Sequence, residues 1–322
     1  MNIINKSYTH NEFDTNFNNF LKLTLLYRYP SIASIFKEFS LSLVQSKPHS
    51  FPDCNPIATD PGVNNAKNTE NKGLIVFIHG LNSSPDTGRT LYKKEIENQT
   101  NGEFEVWVPV VPKRGNCSLE EAAEPILEMV KKYIETNPGK PIQLIGHSNG
   151  GRIAAYIETH LRDKKVDMRV TGIAGVFFGS DLITSYKKTG TAYLFLCPSI
   201  LRDLPTGSKK SKELINEMRK EVTIGSREYT FYTTIDDIAI PNFTSCLPNI
   251  KQNEKCHVLI GCGHSDIQKV VCEREVKKVI AFLKEHENMN LTSTSKEHKT
   301  IKIPMVHSFY NEALVNEAII SA

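Results

Sequence analysis

Six residues, Gly146-His147-Ser148-Asn149-Gly150-Gly151, constrain this chain more than any other stretch. An apolar run, Pro141-Ile142-Gln143-Leu144-Ile145, precedes them, and a helical pattern, Arg152-Ile153-Ala154-Ala155-Tyr156-Ile157, follows. Buried strand, then G-x-S-x-G, then helix is the setting of a sharp turn that lifts a serine above the edge of a sheet. Such a turn admits only small residues around the serine. Glycines at 146 and 150 meet that need, and Gly151 lets the helix approach the strand. An ordinary Ser-Gly turn would carry the same letters, so the rest of the chain has to decide.

Upstream, Gly73-Leu74-Ile75-Val76-Phe77-Ile78-His79-Gly80-Leu81 is a continuous apolar run that ends in small and polar residues. A run of this kind is the mark of a parallel strand buried on both faces. A helix over about 87–99, a strand over 104–110 and a helix over about 118–137 come next. Ser118 and Glu121 have capping-box spacing, and Pro138-Gly139 ends the second helix. Strand 141–146 and the serine turn follow, then buried strand 170–178. Residues 181–220 lack strand character and read as an excursion over one edge of the sheet. Strand 227–234, strand 256–261 and a helix over about 267–286 complete the pattern. The alternation predicts a mostly parallel central sheet flanked by helices.

Two further segments flank this unit. Within residues 1–50, Phe13, Phe17, Phe20 and Leu21, then Ile32, Ile35, Phe36, Phe39 and Leu43, recur at helical spacing with Pro30 between them. They predict two helices that pack on the main domain or form a lid or membrane-surface element. Residues 48–72 read as a surface connection. The segment 287–322 begins polar and reads as a tail. The expected division is an N-terminal helical extension and linker over 1–72, a main domain over 73–286 with a cap at about 181–220, and a tail over 287–322.

Composition narrows the function classes. A net charge of +3 on 322 residues, with no aromatic-interleaved basic patch, argues against nucleic acid. No apolar run reaches the roughly 18 residues that span a bilayer. The first residues lack the pattern of a secretory signal, so the expected location is cytoplasmic, with export without a cleaved signal left open. Seven cysteines, an odd number in a long chain, suggest reduced thiols rather than a disulfide framework. Cys256, His257, Cys262, His264 and Cys272 cluster in sequence. They lack a C-x-x-C pair, so neither a metal nor a cofactor is expected.

A serine attacks a carbonyl at neutral pH only if a base takes its proton, and an imidazole held by a carboxylate does this best. Ser148, Asp237 and His264 each fall just past a predicted strand, at the carboxyl edge where parallel sheets bind ligands. Asp236 competes with Asp237 for the acid position. Asp237 is preferred, because Asp237-Ile238-Ala239-Ile240-Pro241 resembles the D-x-x-(V/I)-P acid loop of α/β-hydrolases. His264 alone of the ten histidines sits in a Gly-His turn between a late strand and the last helix. The backbone N–H groups of Leu81 and Asn149 would bind a developing oxyanion. His79 reads as a core residue that fixes its loop, and His147 as a packing residue.

The order Ser…Asp…His and these motifs resemble the α/β-hydrolases of the lipase/esterase branch. His79-Gly80-Leu81 with Gly146–Gly151 is similar to the H-G-L and G-H-S-x-G-G pair of bacterial triacylglycerol lipases and of the lipase-like domains of glycosylphosphatidylinositol-anchor deacylases. Asp203-Leu204-Pro205-Thr206-Gly207-Ser208 resembles the D-L-x-P-G-S segment of these lipases, and Gly263-His264-Ser265 their histidine turn. The likeness spans about residues 73–286. Two departures stand out: Phe177-Phe178-Gly179-Ser180 keeps only Gly-Ser of T-P-H-x-G-S, and Asn149 stands where Gln or Met is usual. The resemblance implies an α/β-hydrolase fold and a serine hydrolase acting on carboxylic esters. The expected partner is a small-molecule or lipid ester, with transient membrane-surface contact compatible with the N-terminal stripes. A thioesterase or acyltransferase would use the same residues, and a silent hydrolase fold used for binding is the alternative of a different class.

Overall fold

The computed structural model describes residues 6–8, 71–189, 196–240, 242–247 and 255–293. Seven strands form one sheet in the order β1-β7-β6-β5-β4-β2-β3. They are β1 (Lys6–Tyr8), β2 (Leu74–Ile78), β3 (Glu105–Trp107), β4 (Ile142–His147), β5 (Met168–Ile173), β6 (Arg227–Thr234) and β7 (Lys255–Leu259). β2 to β7 are parallel throughout. β1 is antiparallel to β7, with Ser7 opposite His257. Helical patterning near the N-terminus gave no hint of this edge strand, because three residues are too few to show a period. The two predicted helices of the extension and the tail beyond residue 293 lie outside the described residues.

Alternation along each strand assigns the two faces. Leu74, Val76 and Ile78 pack with Ala122, Ile126, Val130 and Ile153. These come from helices α2 (Leu119–Thr136) and α3 (Asn149–Thr159). Ile75 and Phe77 face the other way, toward Tyr92, Ile96, Val271, Val279 and Leu283. Those side chains belong to the π-helical turn Gly88–Lys93 with helix α1 (Lys94–Thr100), and to the last helix, α8 (Ile267–Ser293). Ser118 caps α2 by accepting from the Glu121 N–H at 3.1 Å, as its spacing predicts.

The predicted strand 170–178 stops at Ile173. Ala174 takes φ 47°, which breaks the extended backbone, and the segment 175–178 turns back over α3. Residues 181–220 hold three helices, α4 (Asp181–Thr189), α5 (Pro198–Asp203) and α6 (Lys209–Arg219), with no strand among the described residues there. A short helix α7 (Asn242–Ser245) follows β6. Cys246 is joined to Cys256 in a disulfide. This corrects the expectation of reduced thiols throughout: residues ten apart in sequence face each other across the β6–β7 connection, a proximity that spacing alone does not reveal.

α8 is fixed to the sheet by a buried polar network rather than by packing alone. Arg169 donates to Glu275 Oε2 (3.2 Å), Gln143 Oε1 (3.2 Å) and Thr230 Oγ1 (3.3 Å). Thr171 donates to Glu275 Oε1 at 2.6 Å. An unpaired charge here would be costly, so each member is engaged by a neighbour. The network matters for the site because α8 begins three residues after His264.

Chain order places the site. β3 lies on one side of β2, and the chain then returns to form β4 on the other side. The loops leaving β2 and β4 therefore diverge at a topological switch point, the usual place for a ligand crevice in a parallel sheet. His79-Gly80-Leu81 leaves β2 there, and Ser148 leaves β4.

Candidate active site

Ser148 has φ 55° and ψ −125°, a conformation that non-glycine residues rarely adopt. Packing holds it there. The Ser148 N–H donates to the Ile173 carbonyl (2.9 Å), and the Ser148 carbonyl accepts from Gly151 (3.0 Å) and Val176 (3.3 Å). The serine thus stands between the end of β4 and the first turn of α3. The loop after β2 comes close to it. A Cβ on Gly80 would lie 2.9 Å from Ser148 Cβ and 3.4 Å from Ser148 Oγ, so only glycine permits this approach.

His79 and the next loop hold that approach in place. The Val111 N–H donates to His79 Nε2 at 3.1 Å. Its proton must then sit on Nδ1, which donates to the Gly80 carbonyl at 3.0 Å. Burial lowers the pKa of this imidazole and keeps it neutral. Beyond it, the Asn82 N–H donates to the Arg114 carbonyl (2.8 Å). The Arg114 guanidinium donates to the carbonyls of Asn82 (2.7 Å) and Ser83 (3.2 Å). Among the described residues, the N–H groups of Leu81 and Asn149 donate to no protein acceptor. They are the two donors that sequence pattern assigns to an oxyanion.

Asp237 and His264 meet on the other side. His264 Nδ1 donates to Asp237 Oδ2 at 2.7 Å. Asp237 Oδ1 accepts from the N–H groups of Ala239 and Ile240, both at 2.9 Å. The Asp237 side chain is 1% exposed and that of His264 21%, so the pair has a dry end and an open end. Asp236 points away and accepts from the Gly261 N–H. With Nδ1 committed to Asp237, His264 Nε2 is the nitrogen left to exchange a proton with a hydroxyl.

His147 bridges the two sides. Its Nε2–H donates to the His264 carbonyl at 2.9 Å, and the two rings lie 5.0 Å apart. Full burial, then the neighbouring His264, pushes its pKa down to about 3, so it serves as a neutral donor. Ser148 follows it directly, so one side chain ties the serine turn to the histidine turn.

Other supports were not legible in the sequence. Ser180 Oγ donates to the Ala239 carbonyl at 2.7 Å, bracing the acid loop. The Ser180 N–H donates to the Leu204 carbonyl at 2.8 Å. Buried Arg152 reaches from the first turn of α3 to the Asp203 carbonyl at 3.2 Å. The Asp203–Ser208 segment therefore links the serine helix to the segment after β5. The Gly-Ser retained at 179–180 and the helical register of Arg152 were the available signals. Of the cysteine–histidine cluster, Cys256 is in the disulfide, and Lys278 and Arg274 approach the two ring nitrogens of His257 at 2.7 and 3.3 Å. No group of three potential metal ligands occurs among the described residues.

Residues 68–180 match the family described as "Putative serine esterase (DUF676)". Over that segment the chain is similar to this serine-esterase family. That segment takes in the loop at 79–81 and the turn at 146–151, and ends before Asp237 and His264. Several solved structures are similar to the chain over most of their own length. A mature Bacillus licheniformis lipase, BlEst2, is 15% identical, with 71% of this chain and 99% of that one covered and a TM-score of 0.49. A Paleococcus ferrophilus monoacylglycerol lipase is 19% identical, covers 68% and 96%, and scores 0.46. The peroxisomal α/β-hydrolase Lpx1 of Saccharomyces cerevisiae is 14% identical, covers 80% and 90%, and scores 0.46. No curated protein matches the sequence of this chain.

Proposed function

We propose that this α/β-hydrolase cleaves carboxylic esters through Ser148, His264 and Asp237. The observation that carries the reading is the 2.7 Å bond from His264 Nδ1 to Asp237. It fixes the tautomer in which Nε2 is a base, beside a serine turn held in a conformation that only a dedicated site tolerates. Ser148 Oγ attacks the ester carbonyl while His264 Nε2 takes its proton. Asp237 holds the imidazolium that forms. The N–H groups of Leu81 and Asn149 receive the oxyanion. His264 then gives its proton to the departing alkoxide, which leaves as an alcohol. A water, deprotonated in turn by His264, releases the acid and restores Ser148. No cofactor enters this scheme.

An apolar acyl or lipid substrate is the reading best supported. Above the carboxyl edge, Val176, Ile183, Leu196, Ile200, Leu201, Leu204 and Ile240 form an apolar cluster against which Leu81 packs. The cap is therefore apolar and touches the oxyanion loop. Among the described residues, three of the four exposed large apolar ones, Val110, Ile238 and Ile260, lie past the ends of β3, β6 and β7, at this same edge. They favour transient contact with a lipid surface. No described helix is long and apolar enough to cross a membrane. Thioester cleavage and acyl transfer would use the same groups with a different leaving group or acceptor.

A fluorophosphonate probe tests the reading directly. Wild-type protein is expected to be labelled, and Ser148→Ala and His264→Ala variants are not. Failure of the folded wild type to label, or labelling that survives Ser148→Ala, overturns it. A series of p-nitrophenyl esters of rising acyl length then ranks the substrates.

A further inference from the structure

Asn149 follows the serine directly and is 3% exposed. Its Oδ1 is buried without a hydrogen-bond partner, and among the described residues its Nδ2 has none either. Exchanging the two atoms of the amide leaves the same situation, so the finding does not depend on which is oxygen. A Cβ built on Gly115 would be 3.5 Å from Asn149 Nδ2 and 3.5 Å from Leu81 Cα. The carboxamide thus lies between the serine turn and the 112–115 loop, beside the backbone assigned above to the oxyanion. Arg114 clamps that loop to Asn82 and Ser83.

A buried amide left unpaired costs about 1–3 kcal/mol. An apolar side chain of similar volume would remove that cost and suit the apolar cap. The residue instead offers one donor and one acceptor on adjoining atoms. A hydroxyl, which both donates and accepts, answers both at once.

We propose that the Asn149 side chain is a specificity determinant that receives a hydroxyl of the substrate, carried within a few atoms of the scissile carbonyl on either the acyl or the alcohol half. The hydroxyl donates to Oδ1 and accepts from Nδ2. The proposal rests on Ser148 being the nucleophile. A site that pairs a substrate hydroxyl discriminates strongly against the analogue without it, because the loss strands the buried Oδ1.

The test compares kcat/KM for matched esters. p-Nitrophenyl 3-hydroxybutyrate against p-nitrophenyl butyrate probes the acyl half. 2-Hydroxyethyl butyrate against propyl butyrate probes the alcohol half. The wild type is expected to prefer the hydroxylated member of one pair by roughly tenfold or more, and that pair identifies which half carries the group. Asn149→Leu, or the more adaptable Asn149→Met if the first does not fold, brings the ratio toward one. Each ratio is taken within one protein, so any change in overall rate cancels. Ratios near one for both pairs in the wild type, or a preference that survives in the variant, overturn the proposal and leave the amide served by water. Fluorophosphonate labelling separates the two readings. A labelled wild type with flat ratios overturns this proposal alone, and an unlabelled wild type overturns the hydrolase reading and this one with it.

Discussion

Asp237 and His264, 27 residues apart in sequence, meet at 2.7 Å between Oδ2 and Nδ1. The second carboxylate oxygen is held by two backbone N–H groups, so the carboxylate cannot rotate without losing both. Asp236, its neighbour, is exposed and bonds the Gly261 backbone. Asp237→Asn is therefore expected to lower kcat on p-nitrophenyl butyrate by roughly 10³–10⁴-fold, because an amide stabilises the wrong tautomer and no imidazolium. Asp236→Asn is expected to change it by less than about tenfold, the scale of one exposed hydrogen bond. A larger loss from Asp236→Asn would reverse the assignment.

Much of this was legible because each feature is local. Gly146–Gly151 after a buried run announces its own turn, the strand at 74–78 is continuously apolar, and those at 142–147 and 227–234 are rich in apolar, aromatic or β-branched residues. The parallel sheet followed from alternation. What escaped reading depends on contacts between distant segments. The Cys246–Cys256 bond, the grip of Arg169 on Glu275 and the reach of Arg152 to Asp203 join residues whose sequence spacing carries no pattern. β1 escaped for another reason, since its partner β7, not its own composition, makes it a strand. The preference for Asp237 over Asp236 was available from its likeness to acid loops, whereas the contact of Asp237 with His264 appears only in the fold.

The serine turn makes a steric prediction. A Cβ on Gly150 would lie 2.1 Å from the Ile78 carbonyl oxygen and 2.8 Å from that of His79. Both obstacles are backbone at the carboxyl end of β2, so no side chain can move aside to relieve the clash. Gly263, beside His264, has nothing within 4 Å of the same position. Gly150→Ala is expected to destabilise by about 4 kcal/mol or more, seen as loss of soluble protein or a thermal midpoint lowered by at least about 10 °C. Gly263→Ala is expected to stay within about 1 kcal/mol of wild type. A Gly150→Ala protein that melts within a few degrees of wild type would mean that α3 does not approach β2 as closely as this turn requires.

Buried histidines set the response to acid. Burial first, then Lys278 and Arg274, push the His257 pKa down to about 3, and burial does the same to His147. Each is neutral when folded, whereas the unfolded chain takes up a proton below about pH 6.5. Their contribution is therefore present above that pH and is lost as pH falls from about 6.5 toward 3. Between pH 7.5 and 5.0 each costs about 2 kcal/mol of stability. Lys278, lowered to about 8 by burial, titrates above this window. The fall in unfolding free energy between those two pH values, measured by urea denaturation, is expected to be about 2 kcal/mol smaller in His257→Gln than in wild type, whatever the variant does to stability at pH 7.5. Equal falls in the two proteins would mean that His257 takes up its proton in the folded state, and that the cationic pair beside it opens to solvent in acid.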